Sequence, residues 1–304
     1  MATMKFATVR YQGVEWVGVV GEGDVTLLPQ KEGGLIGLIE GGDAALDGIA
    51  QIMAQGLGHS VPLADVHLLP PINRFRRDVL CTGWNYWDHF TESIGKREGQ
   101  EVPRPHAPTF FTKAPDVVIG PHDDIAYDAR VSSKWDYEAE VVVVIGKKGR
   151  SIPAARAMDH VWGYCLANDI SQRDLQRRHG GQWLKGKSMD GTMPLGPWIV
   201  LARDVDVTEV RLQCILNGQV LQDALVKQMV FSVPELIAEL SLGMTLYPGD
   251  ILLTGTPSGI GNAREPQLFL KAGDVVVVRA TSLGELHNCM KNVDLYGDSS
   301  VDLR

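Results

Sequence analysis

The distribution of apolar positions divides the chain into a short N-terminal region and a longer region dominated by strands. In the first region, apolar residues alternate over 6–9, 14–20 and 25–28, which predicts three short strands, and helical spacing follows over 36–55. The adjacent Pro70 and Pro71 favour an extended connector. We therefore expect a small α+β N-terminal domain over residues 1–70 and a larger domain over 71–304.

Strand patterns outnumber helical patterns after this connector. The apolar runs predict strands at 78–82, 116–119, 138–146, 161–168, 197–202, 210–216, 250–254 and 274–280, and helices at 86–94, 153–160, 170–178 and 233–242. The last helix has the clearest start, because Ser232 can cap it and Glu235 is placed for a capping box. Strands and helices do not alternate regularly, which argues against a doubly wound sheet and favours a mainly β, α+β fold.

The strand predicted at 138–146 begins with two carboxylates. Side chains of a strand alternate between faces, so Glu138 and Glu140 share a face that Val142 and Val144 continue into the core. Like charges on a semi-buried face are costly unless a positive charge lies between them, and divalent cations bind carboxylate oxygen. The alternative is a half-exposed strand whose acidic end contacts water.

A third carboxylate, Asp169, follows the buried-strand pattern at 161–168 and can complete a cation site. Arg173 and Gln176 come next, three residues apart on one face of the predicted helix. Arginine suits bidentate binding of a carboxylate. The alternatives are that Asp169 is the N-cap of this helix and that Arg173 is a solvated surface charge.

The helix predicted at 86–94 pairs an imidazole with a carboxylate. His89 and Glu92 share one face of it, and Asn85 is its predicted N-cap. A carboxylate beside an imidazole fixes the tautomer and keeps the ring basic enough to take a proton from water. The Gly-, Pro- and charge-rich stretch at 95–108 is a candidate lid. The alternative is an exposed amphipathic helix with an incidental His–Glu pair.

Two glycine-containing loops add further candidates. Lys187 lies in a Gly-Lys-Ser sequence that lacks the upstream glycine of a phosphate loop, so it is either a contact for a developing oxyanion or a surface lysine. The glycine pattern at 254–261 matches a short-chain dehydrogenase loop but lies near the end of the chain, not in an N-terminal βαβ unit. That loop can instead bind an anion through its backbone N–H groups.

Composition narrows the classes of function. The chain has 304 residues, 44% hydrophobic and 22% charged, as expected of a soluble globular enzyme. It has no apolar run of the ~20 residues needed for a membrane span and no apolar signal segment. The net charge of −8 argues against nucleic-acid binding. The four cysteines are far apart, which favours reduced thiols in the cytoplasm over a zinc–thiolate site.

Taken in order, these elements resemble the fumarylacetoacetate hydrolase family over roughly residues 72–290. The motifs that carry the resemblance are Asn-Tyr-x-x-His-x-x-Glu, Asp-Tyr-Glu-x-Glu, Asn-Asp-x-Ser-x-Arg-Asp-x-Gln, Gly-Lys-Ser, Pro-Leu-Gly-Pro and Thr-Gly-Thr-Pro-x-Gly. Each is weak alone, but six in order are specific. The resemblance implies a mixed β-roll, usually homodimeric, and a small N-terminal domain is common among longer members.

The resemblance also implies roles for individual residues. Glu138, Glu140 and Asp169 would bind a divalent cation, Mg²⁺ or Mn²⁺, with Ca²⁺ as an alternative. His89 and Glu92 would activate water from a lid. The residues that would contact substrate are Arg173, Gln176, Lys187 and Thr256, with Lys187 also stabilising the product enolate.

The function implied is hydrolytic C–C cleavage of a 2,4-diketo acid to pyruvate and a carboxylic acid, in the catabolism of aromatic or sugar-derived acids. The alternative is isomerisation or decarboxylation of a 2-oxo diacid of the 2-hydroxyhepta-2,4-diene-1,7-dioate or oxaloacetate type. The His89–Glu92 pair favours hydrolysis. A non-catalytic metal-binding protein is the rival from another class.

Two further expectations concern the cation site and the substrate. Thr82 stands where some members have a fourth, aspartate ligand, which indicates the three-carboxylate bacterial type. We expect a small 2-oxo acid substrate and no nucleic-acid or membrane partner. The candidates for binding a second carboxylate, which are equally well explained as surface charges, are Arg74, Arg76, Arg77 and Arg264.

Overall fold

The computed structural model describes residues 3–30, 32–96 and 101–297, and strands dominate them. The strands are β1 Lys5–Tyr11, β2 Val14–Val20, β3 Asp24–Leu27, β4 His59–Pro62, β5 His67–Leu69, β6 Val79–Gly83, β7 Thr109–Lys113, β8 Val118–Ile119, β9 Ile125–Tyr127, β10 Trp135–Asp136, β11 Ala139–Ile145, β12 Gly149–Arg150, β13 Val161–Asn168, β14 Ser171–Gln172, β15 Met193–Leu201, β16 Arg211–Leu216, β17 Gln219–Leu225, β18 Thr245–Leu246, β19 Ile251–Leu253, β20 Val275–Ala280 and β21 Gly284–Asn292. The α-helices are α1 Gly34–Glu40, α2 Gly42–Gln55, α3 Trp87–Glu92, α4 Arg173–Arg178 and α5 Val233–Ser241.

The main sheet has twelve strands and is mixed, as the sequence predicts. Its path is β4-β3-β2-β1-β15-β13-β11-β19-β6-β7, with β5 paired to β1 and β8 to β15. Most neighbours are antiparallel, but β19 pairs with β6, and β8 with β15, in parallel. A second sheet of five strands has the order β17-β16-β20-β21-β9. Buried residues of both sheets, among them Val141 and Val278, belong to one apolar cluster.

The N-terminal strands continue the main sheet. Strand β1 pairs antiparallel with β15, with Phe6 opposite Ile199. Phe6 belongs to the same buried cluster as Val142 and Ile199. The two parts of the chain therefore share a sheet and a core, and the boundary at residue 70 remains a prediction. No helix in the described part of the chain is long and apolar enough to cross a membrane.

Strand β11 is buried on both faces. Val141 and Val143 contribute to the cluster shared by the two sheets, whereas Val142 and Val144 contribute to the cluster on the other side. All seven residues of β11 are buried. The period-two alternation that the sequence predicts is therefore observed, and the half-exposed alternative for this strand is wrong.

Some predicted elements differ from the structure. The helix predicted at 36–55 is interrupted at Gly41 and Gly42, where Gly42 has a φ of 54° that favours glycine. The helix predicted at 153–160 is a 3₁₀ helix, Ala154–His160. The helix predicted at 170–178 begins only at Arg173, because Ser171–Gln172 pairs with β10. The capping box of α5 is present, since Glu235 accepts hydrogen bonds from the N–H and hydroxyl of Ser232.

Candidate metal centre and active site

Three carboxylates from two paired strands lie together at the centre of the molecule. Glu138 immediately precedes β11, Glu140 lies in it, and Asp169 immediately follows β13. Because β11 pairs with β13 so that Ala139 faces Asn168, the three side chains reach the same place. One oxygen atom of each carboxylate lies within 4.8 Å of the others, and all three residues are buried. The sequence correctly predicts this convergence.

Two buried lysines balance part of the negative charge. Lys187 Nζ donates to Glu138 Oε2 at 2.7 Å and to Asp169 Oδ2 at 2.8 Å. Lys113 Nζ donates to Asp169 Oδ1 at 2.6 Å. The alternative of Lys187 as a surface residue is therefore wrong, because only 2% of it is exposed. Sequence reasoning missed Lys113. The one sequence feature that indicates its burial is that it shares a strand face with the apolar Phe111.

Asp169 does not cap the helix that follows it. The N-cap position of α4 is Gln172, and the Asp169 carboxylate is occupied by the two lysines. The alternative reading of Asp169 is therefore wrong. The Asp169 carboxylate, directly after β13, instead lies beside the carboxylates of Glu138 and Glu140.

Glu140 carries the least compensated charge of the three. Its Oε2 accepts a hydrogen bond from the backbone N–H of Gly255 at 2.6 Å. Burial raises the pKa of Glu140 well above its usual range, and the neighbouring Asp169 and Glu138 raise it further. Burial also raises the pKa of Glu138, but the positive charges of Lys187 and Arg173 outweigh it and hold that pKa at about 2.

The surroundings fit a divalent cation. Three converging carboxylate oxygens are the donor set that Mg²⁺ and Mn²⁺ prefer, and a cation supplies the positive charge that Glu140 lacks. Thr82 lines a pocket together with Glu138 and Glu140. Its hydroxyl oxygen is buried and has no hydrogen-bond partner in the described part of the chain. A buried hydroxyl usually has a hydrogen-bond partner, and a polar atom of a group bound in this pocket would supply one.

Arg173 is fixed on the opposite side of Glu138. Its Nη2 donates to Glu138 Oε1 at 2.7 Å and its Nε donates to Asp136 Oδ2 at 2.8 Å. Its Nη1 donates to Gln176 Oε1 at 3.2 Å. Asp136 also accepts from the backbone N–H of Gly261 at 2.7 Å, which anchors it. Arg173 is therefore a buried, oriented cation, and the surface-charge alternative is wrong.

The predicted imidazole–carboxylate pair is present on α3. His89 Nδ1 lies 2.9 Å from Glu92 Oε1, and His89 is buried. Glu92 Oε2 accepts from the backbone N–H of Gly259 at 2.8 Å. With a carboxylate on Nδ1, that nitrogen carries the proton and Nε2 is the basic position. The exposed-helix alternative is therefore wrong.

Residues 97–100 of the predicted lid lie outside the described residues.

The 254–259 loop connects this pair to the carboxylates. Its N–H groups bind carboxylates, as predicted, but these belong to the protein's own Glu140 and Glu92. Gly255 has a φ of 99°, and a Cβ there would lie 2.8 Å from the Cβ of Asn85, so only glycine suits this position. Thr256 Oγ1 accepts from Gln222 Nε2 at 2.8 Å and lies at the pocket wall.

Asn85 does not cap α3, contrary to the prediction. The N-cap position is Tyr86. The Asn85 amide instead donates to the carbonyls of Thr254 at 2.9 Å and Phe231 at 3.0 Å, and it accepts from Phe231 N at 2.8 Å. These partners lie far away in the chain, so local spacing does not reveal them. Asn85 holds the 254–259 loop against the segment before α5.

Aromatic rings complete the pocket walls. Trp183 contacts Trp84 edge-to-face, with ring centroids 4.9 Å apart, and also packs against Phe111. Sequence reasoning missed these rings. The pocket also contains His89, Arg173, Gln176, Lys187 and Thr256. The structure thus brings together every site residue that the resemblance implies.

The four arginines considered for a second carboxylate do not line this pocket. Arg264 binds the hydroxyl of Tyr137 and backbone carbonyls. Arg76 and Arg77 lie over the ring of Tyr247. Arg74 lines a separate cavity beside α2.

A buried carboxylate cluster beside an oriented imidazole, inside a mixed sheet, defines an enzyme site. The family model described as fumarylacetoacetate (FAA) hydrolase C-terminal matches residues 78–291. The chain belongs to this family, as the motifs predicted. Its members are typically dependent on divalent metals.

Three similar proteins carry names for three chemistries. The chain is 42% identical over 252 residues to the human mitochondrial oxaloacetate tautomerase FAHD2A, covering 82% of this chain and 77% of that protein. It is 34% identical to a fumarylacetoacetate hydrolase from Exiguobacterium antarcticum, whose structure matches with a TM-score of 0.81 over 95% of this chain and 100% of that one. A 2-hydroxyhepta-2,4-diene-1,7-dioate isomerase from Mycobacterium marinum is 29% identical, with a TM-score of 0.74 over 96% and 99%. The homodimer and the cytoplasmic location remain predictions.

Proposed function

We propose that the protein is a divalent-metal-dependent enzyme that interconverts the keto and enol forms of a 2-oxo diacid, with oxaloacetate as the reference substrate. The observation that carries the proposal is the convergence of Glu138, Glu140 and Asp169 with Lys187 in one buried pocket. The 42% identity to a curated oxaloacetate tautomerase supports this alternative over the hydrolysis that the sequence resemblance favoured.

Enolisation moves a proton from C3 and develops negative charge on the oxygen at C2. A bound Mg²⁺ or Mn²⁺ would act as a Lewis acid for that charge, and the three carboxylates would hold it. Lys187 Nζ donates to Glu138 and Asp169 and has a third N–H, which would donate to the same oxygen. This arrangement stabilises charge where it develops, which is where such contacts accelerate the reaction.

His89 is the proposed base. Glu92 fixes its tautomer from Nδ1, so Nε2 takes the proton from C3 and leaves an enolate, whose charge Lys187 stabilises while keeping its own proton. The C2 oxygen then takes a proton from solvent as His89 releases one to solvent, so both side chains regain their starting states after each turnover. The reverse direction returns each proton to its source. Arg173 and Gln176, on one helical face, hold the C1 carboxylate.

Hydrolysis is the second candidate, and the His89–Glu92 pair is the observation that favours it. The same Nε2 can take a proton from water in place of carbon. The name of the 34% identical Exiguobacterium relative agrees with that chemistry.

The test follows the ultraviolet absorbance of the oxaloacetate enol with Mg²⁺ or Mn²⁺, after subtracting the rate with metal alone. We expect enzyme-dependent conversion that a chelator removes and that leaves the mass of the substrate unchanged. Release of CO₂ would instead identify a decarboxylase, and cleavage of an acylpyruvate into two acids would identify a hydrolase. No rate above the metal-only control would overturn the proposal.

A further inference from the structure

A second pocket continues from the carboxylate pocket between α3 and α4. It shares Trp84, His89, Arg173, Gln176 and Trp183 with that pocket. The additional residues on its far side include Lys96, Arg177 and Asn262. The two pockets therefore adjoin along these five residues and together make a space with the carboxylate cluster at one end.

The two ends of this space have opposite chemistry. The first end contains Glu138 and Glu140 together with the cations that balance them. The far end adds the cations Lys96 and Arg177, and no carboxylate lines this second pocket among the described residues. Arg173 lies between the two ends and is already paired with Asp136 and Glu138. An anionic group is therefore stabilised at the far end, and a second metal is not.

Contacts with the backbone fix the cations at the far end. Lys96 Nζ donates to the carbonyl of Ala263, in the segment that also carries Asn262. Arg177 Nη2 donates to the carbonyl of Lys96 at 2.7 Å, so α4 is tied to the segment that follows α3. Lys96 has no salt bridge in the described part of the chain, so no carboxylate there neutralises its charge. A carbonyl partner orients this ammonium group without neutralising it.

The walls between the two ends limit the length of a ligand. Trp84 and Trp183 meet edge-to-face there and line both pockets. A Cβ on Gly83 would lie 2.5 Å from the Trp183 ring, so this ring packs directly against the strand backbone. Two bulky rings in fixed positions favour a short, unbranched chain between the two charged ends.

We infer that this far end is a subsite for the second carboxylate of the substrate, with Lys96 as its specificity-determining residue and Arg177 and Asn262 as neighbours. The substrate class is then a short 2-oxo acid that carries a carboxylate at each end. The inference rests on the proposed function, which assigns the reacting end of the substrate to the carboxylate cluster. It adds the residues that would bind the second carboxylate at the far end. It replaces the four arginines that the sequence offered for this role.

The experiment compares oxaloacetate with its 4-ethyl ester, which keeps the reacting end and loses only the far charge. In Lys96→Gln, we expect the kcat/KM preference for the diacid over the ester to fall by on the order of 10-fold or more, because one charge-assisted contact is lost. The effect should lie mainly in KM for the diacid. Lys96→Arg should restore much of the preference. The matched control is Lys185→Gln, an exposed lysine that lines neither pocket.

A binding measurement provides a second readout. Tryptophan fluorescence of the metal-loaded protein should report oxaloacetate and oxalate, since two tryptophans line the pocket. Lys96→Gln should weaken the affinity for oxaloacetate by a similar factor. The affinity for oxalate should stay unchanged, because oxalate has no group that reaches the far end. An unchanged preference in an enzyme that turns over oxaloacetate would overturn the subsite and leave the proposed function standing. If the wild-type protein turns over neither compound, the proposed function fails, and the two binding constants alone decide the subsite.

Discussion

Lys187 Nζ lies 2.7 Å from Glu138 Oε2, and both side chains are buried. The same nitrogen atom lies 2.8 Å from Asp169 Oδ2, so one ammonium group bridges two of the three carboxylates. A cation that binds all three must share two of them with this lysine. Lys187 therefore compensates the cluster electrostatically and also competes with a metal for it.

Replacing Lys187 with Met should separate these two effects. We expect kcat/KM for tautomerisation to fall by about 10²- to 10³-fold, as when one oxyanion donor is removed. Mn²⁺ affinity should stay the same or rise, because the competing cation is gone. Steady-state kinetics and Mn²⁺ titration of the variant measure both quantities, with Lys185→Met as the exposed control. A variant that loses Mn²⁺ affinity would show that Lys187 supports the metal site instead of competing with it.

Asp136 should be needed to orient Arg173. Among the described residues, every hydrogen bond of its carboxylate is with a donor, either the Arg173 guanidinium or a backbone N–H, including those of Gly261 and Asn262. In Asp136→Asn, an amide NH₂ must face one of these donors. We expect a loss of roughly 1–3 kcal/mol in unfolding free energy and a higher KM. Urea denaturation and kinetics test this, with the exposed Asp190→Asn as control, and an unchanged KM would contradict it.

Asn85→Ala should loosen the 254–259 loop. The change removes the two donations to Thr254 and Phe231 and the acceptor for Phe231 N, inside a site where Asn85 is 0% exposed. We expect a cost of about 2–4 kcal/mol, visible as a Tm lowered by several degrees. Asn85→Asp should be no better, because a carboxylate cannot donate to two carbonyls. Faster amide hydrogen exchange at Gly255 would locate the change, and equal Tm values would contradict this account.

Asp128 should contribute to stability only above acidic pH. The hydrogen bond from the Arg130 side chain holds the pKa of Asp128 well below its usual range, despite partial opposition from burial. A folded pKa below the unfolded value of about 3.9 stabilises the fold above that value, and the stabilisation is lost as pH falls through the folded pKa. The Tm difference between wild type and Asp128→Asn should therefore shrink from pH 6 toward pH 3. The exposed Asp47→Asn provides the baseline, and a difference that grows on acidification would contradict the sign.

The sequence predicts those parts of the site that depend on strand alternation. Glu138 and Glu140 share a face because of period two, and Asp169 joins them because it leaves the neighbouring strand. Lys113 and Lys96 were not predicted, because a lysine at the end of a strand or in a loop is usually solvated. Only the tertiary structure buries Lys113 and places Lys96 in a pocket. Strands β17 and β21 were missed because polar residues interrupt their apolar pattern.

The most direct test of the central claim is equilibrium Mn²⁺ binding, followed by the electron paramagnetic resonance of the unbound ion. We predict one site per chain in the wild-type protein and an affinity at least 10-fold weaker in Glu140→Gln, whose carboxylate lies in the buried cluster. The exposed Glu40→Gln should bind as the wild type does. Equal affinity in all three proteins, or no site in any of them, would contradict the account.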